Sequence, residues 1–313
     1  MSTSLANNYI LEVVPTPDFL IIGAARSSTS ALARYIDAQP SAMIIDPKEP
    51  HFLAHAGEAP RYAGPGDDFL INERVVTDEE IYSSFFSQSE DGVLVGEGSV
   101  STLAYPDPSI ANIRRYCGDD VKLIACLREP VERMFSSYLY LRSRERETHL
   151  DFRDALADEQ RRTSENWHHM WRYRALSQYE LLLDPFIQEF GRDRVHIVIS
   201  ERLTGVDSSE FTQVANFLEL PEIDESIAFG HINGGGVAGD NPLSKATKLI
   251  VRNEKLLEAA KAVVPRSIQE RVYDRVFSRP TLESSFRREL EAEFEPVTSY
   301  VESLVGPLPE WRN

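Results

Sequence analysis

The stretch FLIIGAARSSTSALARYI, residues 19–36, decides how the chain is built. It opens with four consecutive apolar residues, Phe19 to Ile22, which suit a strand buried on both faces. A glycine turn follows, and Leu32, Tyr35 and Ile36 then recur at helical spacing. Strand, glycine-bearing turn and helix is the opening unit of a parallel α/β sheet. At such a turn several backbone N–H groups and the positive end of the helix dipole face one point, which makes an anion site. GAARSSTS, Gly23 to Ser30, surrounds that point with Ala25, the hydroxyls of Ser27, Ser28, Thr29 and Ser30, and the guanidinium of Arg26. The same residues also read as a helix capped by Ser or Thr that needs no ligand.

The alternation continues outward. SAMIID (41–46), GVLVGEG (92–98), VKLIACLRE (121–129) and VHIVISERL (195–203) read as strands. PSIANIRRYCGDD (108–120), PVERMFSSYLYLRSRER (130–146), SQYELLLDPFIQEFGRD (177–193) and SEFTQVANFLEL (209–220) read as helices. Pro130 stands at the first position of its helix, where a missing N–H costs nothing. HINGGGVAGDNP (231–242) is a loop by composition, and residues from about 243 are mostly helical. The chain is expected to be one domain, 1–313, with an N-terminal extension over 1–16 and a helical C-terminal region over 243–313. A polar, poorly periodic insertion over 56–91 is a surface loop or a lid.

Composition narrows the function. Lys and Arg number 33 and Asp and Glu 50, a net charge of −17 with a pI near 4.9. So acidic a chain argues against nucleic-acid partners and anionic membranes, and weighs against a polyanionic substrate. Cys117 and Cys126 are too few for a disulfide framework or a zinc cage, and read as packing residues. MSTSLANNYILEVV has no basic segment followed by a long apolar one, so no signal peptide is expected. No apolar run approaches the roughly 20 residues that span a bilayer. The expectation is a cytoplasmic protein without an integral membrane segment; its oligomeric state is not legible.

Residues 23–30 depart from an ATPase loop. In G-x-x-x-x-G-K-[ST], Ser28 would stand for the second glycine and Thr29 for the lysine, and Arg26 carries the charge at the fourth position. The second buried strand ends in Leu127–Arg128–Glu129 rather than in a magnesium-binding aspartate. The loop therefore reads as binding phosphate by direct positive charge, with no metal. Arg128 emerges at the carboxyl edge of the sheet, where ligands of open α/β sheets bind. Its alternative role is an internal ion pair. Ser136, about two turns into the next helix, alone would read as helix surface. In DPKEPHFL (46–53) Pro50 favours an extended Glu49, so Glu49 and His51 should project together. A carboxylate beside an imidazole can act as a general base with a tuned partner; the plainer reading is a surface Glu and a loop His.

In this order, FLIIGAARSSTSAL, KEPHF and KLIACLREPVERMFSSYLYLR resemble the sulfotransferases that use 3′-phosphoadenosine-5′-phosphosulfate (PAPS). The likeness is to the carbohydrate and heparan-sulfate type and its bacterial small-molecule relatives. GEGSVSTLAYP (96–106) resembles the family's GEKTPSYL-like segment. RALSQYELLLDPFIQEFGRDRVHIVISERL (174–203), HINGGGVAGD and LEAEFEPVTSYVESLVGPLPEW (290–311) resemble its later segments, so the pattern runs over roughly 17–311. The resemblance implies an α/β, P-loop-like three-layer sandwich: a central, mainly parallel sheet flanked by helices, and a helical C-terminal part. It implies that PAPS is the co-substrate, with no metal. It implies that the loop 23–30 cradles the 5′-phosphosulfate with Arg26 on the sulfuryl oxygens, and that Arg128 and Ser136 hold the 3′-phosphate. Glu49 matches the family's catalytic base and His51 its neighbour, while Arg174 and Tyr179 match a nucleotide-binding segment.

Two positions depart from the family. Its lysine in the GEKTPSYL-like segment is Gly98 here, and the C-terminal loop that brings Lys or Arg to the 3′-phosphate reads NGGGVAGD, with Lys245 only later. The expected reaction moves the sulfuryl group in line to a hydroxyl or amine of a small-molecule, lipid or carbohydrate acceptor. The competing readings are a non-catalytic nucleotide-binding protein, which Gly98 favours and the Glu49–His51 pair disfavours, and a P-loop kinase, which Thr29 disfavours. RSRER (142–146) and Arg161–Arg162 are either a local basic face or solvated helix surface. Trp167, His168, His169, Trp171 and Tyr173 form an aromatic and imidazole cluster that reads as core packing or as a wall of the acceptor pocket.

Overall fold

The computed structural model describes residues 16–87, 92–118, 120–203, 209–220, 237–238, 277–278 and 280–312. Five strands form one sheet in the order β2-β3-β1-β4-β5, with every neighbouring pair parallel. They are β1 Phe19–Gly23, β2 Ala42–Ile44, β3 Leu94–Glu97, β4 Lys122–Leu127 and β5 Val195–Ile199. Every residue of β1 is buried, and so is all of β4 after Lys122. These are the two longest apolar runs of the sequence, and they lie side by side at the centre with Leu20 opposite Leu123.

The helices are α1 Thr29–Asp37, α2 Phe52–His55, α3 Glu79–Ser84, α4 Ser101–Ala104, α5 Pro106–Tyr116, α6 Pro130–Ser143, α7 Phe152–Ala157, α8 Glu159–Ser164, α9 Tyr179–Phe190, α10 Ser200–Leu203, α11 Ser209–Leu218 and α12 Ser284–Val305. They cover both faces of the sheet. Phe19, Ile21, Ile124, Cys126 and Val198 pack against α1 and α11. The opposite pleat, Leu20, Ile22, Leu123, Ala125 and Leu127, packs against α5, α6, α9 and α12. The strands alternate their side chains between two separate cores, which gives three layers. The expected α/β sandwich with a parallel sheet is the observed fold.

Some local readings need correction. The run VHIVISERL does not stay extended: β5 stops at Ile199 and α10 begins at Ser200. Arg162 is neither a basic face nor solvated helix surface, being 1% exposed and paired with the equally buried Glu147 at 2.7 Å and 3.0 Å. Arg161 is tied to Asp158 and Glu165 on its own helix. Cys126 lies buried in β4 and Cys117 caps α5.

Residues 56–87 of the predicted insertion hold α3 and a short π-type turn, Asp68–Asn72. They are fastened to the body by Tyr82, which stacks on Phe52 at 4.1 Å, and by Asp67, which accepts from Trp171 Nε1 at 3.0 Å. Residues 88–91, the extension over 1–15, most of the glycine-rich loop, Lys245 and the C-terminal region before 277 lie outside the described residues. A two-stranded antiparallel pair, β6 Val237–Ala238 with β7 Phe277–Ser278, is described, and α12 is helical as expected. Among the described residues no helix is long and apolar enough to cross a membrane.

Candidate active site at the carboxyl edge of the sheet

A parallel sheet presents the carboxyl ends of all its strands on one edge. Read across that edge, the strand order brings together Lys48, Glu49 and His51 after β2, Ser99 and Ser101 after β3, Arg26 and Ser28 after β1, Arg128 and Ser136 after β4, and Ser200 and Glu201 after β5. The sequence motifs thus converge although 175 positions separate Arg26 from Glu201. The chain leaves β1 toward α1 on one face and leaves β3 and β4 toward helices on the other, so the end of β1 is the topological switch point, where ligands of open α/β sheets bind.

The loop after β1 is tightly specified. Ala24 N–H donates to Cys126 C=O at 2.7 Å, which ties the loop to β4. Arg26 and Ser28 both adopt left-handed backbone, with φ of 70° and 64°. For non-glycine residues that conformation costs on the order of 1 kcal/mol or more each, and it concentrates at functional loops. Ser28 Oγ bonds Ser200 Oγ at 2.6 Å, and Arg26 Nε donates to Ser136 Oγ at 3.2 Å. Arg26 also lies 4.7 Å over the Tyr140 ring. Ala25 and Thr29 are buried, and Ser30 is exposed on the first turn of α1. Ser27 is fully buried, and its Oγ has no hydrogen-bond partner among the described residues. First-turn N–H groups, an orphaned hydroxyl and a guanidinium are a donor set that fits a phosphate or sulfate oxyanion.

Glu49 and His51 do meet, with Oε2 and Nε2 3.8 Å apart. His51 itself is left-handed at φ 57° and caps the start of α2. His51 Nδ1 lies 2.9 Å from Ser101 Oγ, and its N–H donates to Ser99 Oγ at 3.0 Å. Burial, offset in part by Glu49, lowers the His51 pKa to about 4, so the imidazole is neutral at physiological pH. Lys48 Nζ donates to Glu49 Oε1 at 2.7 Å and to Gly98 C=O at 2.9 Å. Glu97 is buried beneath this group, accepts from Ser99 Oγ at 2.9 Å, and is pushed up to about 8 by burial.

On the other side of β1, Arg128 reaches back to Arg26 C=O at 3.5 Å and pairs with Glu132 at 3.2 Å. Glu132 also holds Arg287 of α12, so one carboxylate bridges two guanidiniums. Tyr179 is fully buried; its hydroxyl accepts from Arg128 N–H at 3.3 Å and donates to Arg128 C=O at 2.6 Å. It therefore fixes the backbone that carries the arginine. Ser136, expected beside Arg128, hydrogen-bonds Arg26 instead. Among the described residues the Arg174 side chain is held elsewhere: it donates to Glu293 at 2.9 Å and to Leu156 C=O at 3.2 Å.

Next to the Glu49–His51 pair lies a cluster that joins two distant segments. Tyr105 packs edge-on against His55 at 5.5 Å and against His169 at 5.6 Å, and Tyr62 lies 6.2 Å from His168. His168 Nδ1 is 2.9 Å from Asp67 Oδ1. Burial lowers His55 to about 4 and His169 well below its usual value. Of the five cluster residues read from sequence, the two histidines face Tyr62 and Tyr105. Trp171 and Tyr173 are fully buried core. Sequence reasoning missed Lys48, Arg287 and Tyr105 in this region. Lys48 stood beside Glu49 in the quoted motif, whereas nothing local marks Arg287.

No family model and no curated protein matches the chain. Solved structures do. The crystal structure of a sulfotransferase from Alicyclobacillus acidocaldarius aligns with TM-score 0.71 and 28% identity, over 95% of this chain and 99% of that one. The sulfotransferase domain from the curacin biosynthetic pathway aligns with TM-score 0.44 and 15% identity, over 85% and 99%. That of the Synechococcus PCC 7002 olefin synthase aligns with TM-score 0.41 and 16% identity, over 90% and 95%. Over nearly its whole length the chain is thus similar in fold to the Alicyclobacillus acidocaldarius sulfotransferase.

Proposed function

We propose that the chain is a sulfotransferase that moves the sulfuryl group of PAPS to a hydroxyl or amine of a small-molecule, lipid or carbohydrate acceptor. The observation that carries this reading is the order of groups along the carboxyl edge. An acid–imidazole pair lies at the β2 and β3 ends, a left-handed anion loop at the β1 end, and an arginine at the β4 end. The ends of β3 and β4 are two strand spacings apart, about 10 Å, so base and arginine address different parts of one elongated ligand. Bound PAPS supplies an activated sulfate whose leaving group is adenosine 3′,5′-bisphosphate.

The residues of this chain then have separable tasks. The loop amides and Arg26 hold oxyanion charge, and Arg128 holds the distal phosphate in place of Glu132. Glu49 takes the proton from the acceptor, a step worth about 10²–10⁴ in rate. His51, neutral and tethered to Ser101, orients Glu49 rather than adding charge. Most of the remaining catalysis is positioning. Labelled PAPS with a panel of phenol, sugar, fatty alcohol and amine acceptors, without magnesium, tests the reading alongside calorimetry with the bisphosphate and with ATP. Transfer of label and preference for the bisphosphate are expected. Binding of ATP alone, or no transfer to any acceptor, would overturn it.

A further inference from the structure

We propose that Lys48 and Gly98 form one functional unit, in which the lysine after β2 reaches across to supply a cation at the end of β3 and holds Glu49 ready for proton transfer. The proposal rests on the sulfotransferase reading above. Two contacts and one steric relation carry it. Lys48 Nζ lies 2.7 Å from Glu49 Oε1 and 2.9 Å from the Gly98 carbonyl oxygen. A Cβ built on Gly98 would stand 2.8 Å from Lys48 Cε and 3.2 Å from Nζ. A side chain at position 98 would therefore displace the end of Lys48 from its present place, so the two positions are coupled. The φ of Gly98 is not in the left-handed region, so a side chain there is opposed by the present Lys48 conformer and not by the backbone.

The consequence for chemistry follows from the partners. Both acceptors of Lys48 are oxygens, one neutral and one anionic, so the ammonium is anchored at one side and aims the carboxylate at the other. When the acceptor O–H transfers its proton to a Glu49 oxygen, the carboxylate becomes neutral and the ion pair weakens. The Lys48 charge is then released toward the sulfuryl oxygens at the moment negative charge shifts toward the leaving group. No bond to lysine forms or breaks. A cation at this point thus works twice, first as a positioning residue for the base and then as electrostatic support for transfer.

The swap Lys48→Ala with Gly98→Lys tests the unit. With labelled PAPS and the best acceptor of the panel, Lys48→Ala is expected to lower kcat by about 10²-fold, the usual cost of one transition-state donor. Bisphosphate affinity by calorimetry should stay within about threefold, roughly 0.7 kcal/mol. Adding Gly98→Lys to Lys48→Ala should recover at least about tenfold of the lost kcat. A readout independent of activity is the melting temperature: Gly98→Ala should lower it in the unaltered chain and leave it unchanged when Lys48 is already alanine. Near-normal kcat in Lys48→Ala, or an equal loss of melting temperature from Gly98→Ala in both backgrounds, would overturn the unit while leaving the sulfotransferase reading intact. An unaltered chain that neither transfers label nor binds bisphosphate would overturn both.

Discussion

At the scale of single residues, the proposed function assigns proton handling to one end of the site and phosphate holding to the other, and substitutions should separate them. Glu49→Gln keeps the shape and the Lys48 contact but removes the basic oxygen. Turnover of labelled PAPS should fall by about 10²–10⁴-fold, with bisphosphate affinity unchanged in a titration; a variant of near-normal turnover would take Glu49 out of the mechanism. Arg128→Ala should do the reverse. Losing charge-assisted hydrogen bonds of about 1.5–3 kcal/mol weakens bisphosphate binding by roughly 10- to 100-fold, while acceptor KM stays put. An equal loss on both sides would refute the assignment. Glu49, His51, Arg26 and Arg128 were legible because each stands in a short motif next to a buried strand. Tyr179 was legible only as a family position. Its buried hydroxyl on the Arg128 backbone is a contact across 51 residues that no local pattern announces. Ser136 moved from one arginine to the other for the same reason: which guanidinium a helix residue meets depends on how α6 lies against the loop, not on spacing along the chain.

At the scale of elements, β1, β4 and α6 were readable because their signals are local. Two continuous apolar runs make buried strands, and Pro130 opens a helix. The structure adds the cap. Glu129 accepts from Val131 N–H at 2.9 Å and from Glu132 N–H at 2.7 Å, so it closes the first turn of the helix that carries Glu132 and Ser136. Glu129→Ala should cost about 0.5–2 kcal/mol in denaturant unfolding, as cap losses do. A variant as stable as the parent would show that Pro130 alone sets the helix start. Helices α7 and α8 were not readable, since only Phe152, Ala155 and Leu156 on the first and Arg162 on the second are buried, too few to mark a period. What fastens α8 is ionic. Arg162, 1% exposed, is gripped by Glu147, which also accepts from Tyr173 at 2.7 Å. Burial alone would raise the Glu147 carboxyl, but those hydrogen bonds outweigh it and hold it low. Glu147→Ala removes the two-pronged partner of a buried guanidinium, leaving Asp158 at 3.3 Å from Nε, and should cost about 3–5 kcal/mol in the same unfolding assay. A loss under about 1 kcal/mol would mean that water or Asp158 replaces the carboxylate.

At the scale of the whole molecule, the topology turns distant motifs into one site, and the cost is that ionisable groups are buried under it. Glu97 is the clearest case. It ends β3 next to the central strand, is 1% exposed, and has Ser99 Oγ as its hydrogen-bond donor. Its pKa rises from 4.5 to about 8, first through burial and further through the nearby Glu49. The sign follows from proton counts. Between the unfolded value and about 8, the folded chain holds a proton that the unfolded chain has lost, so stability falls as pH rises through that window. The slope approaches about 1.4 kcal/mol per pH unit for one such group. His51 and His55, lowered to about 4 by burial, act oppositely, but their effect ends once the unfolded imidazole is neutral above about 6.5. In the interval from 6.5 to 8 the effect of His51 and His55 has ended, and Glu97 acts there together with other buried carboxyls such as Glu129, raised to about 7. Glu97→Gln preserves an acceptor for Ser99 and abolishes the titration. Its unfolding free energy should vary less with pH between 6.5 and 8 than that of the parent, by about 2 kcal/mol across the interval at most. Parallel pH profiles for the two proteins would show that Glu97 is ionised in the folded state, and that Lys48 compensates two carboxylates rather than one.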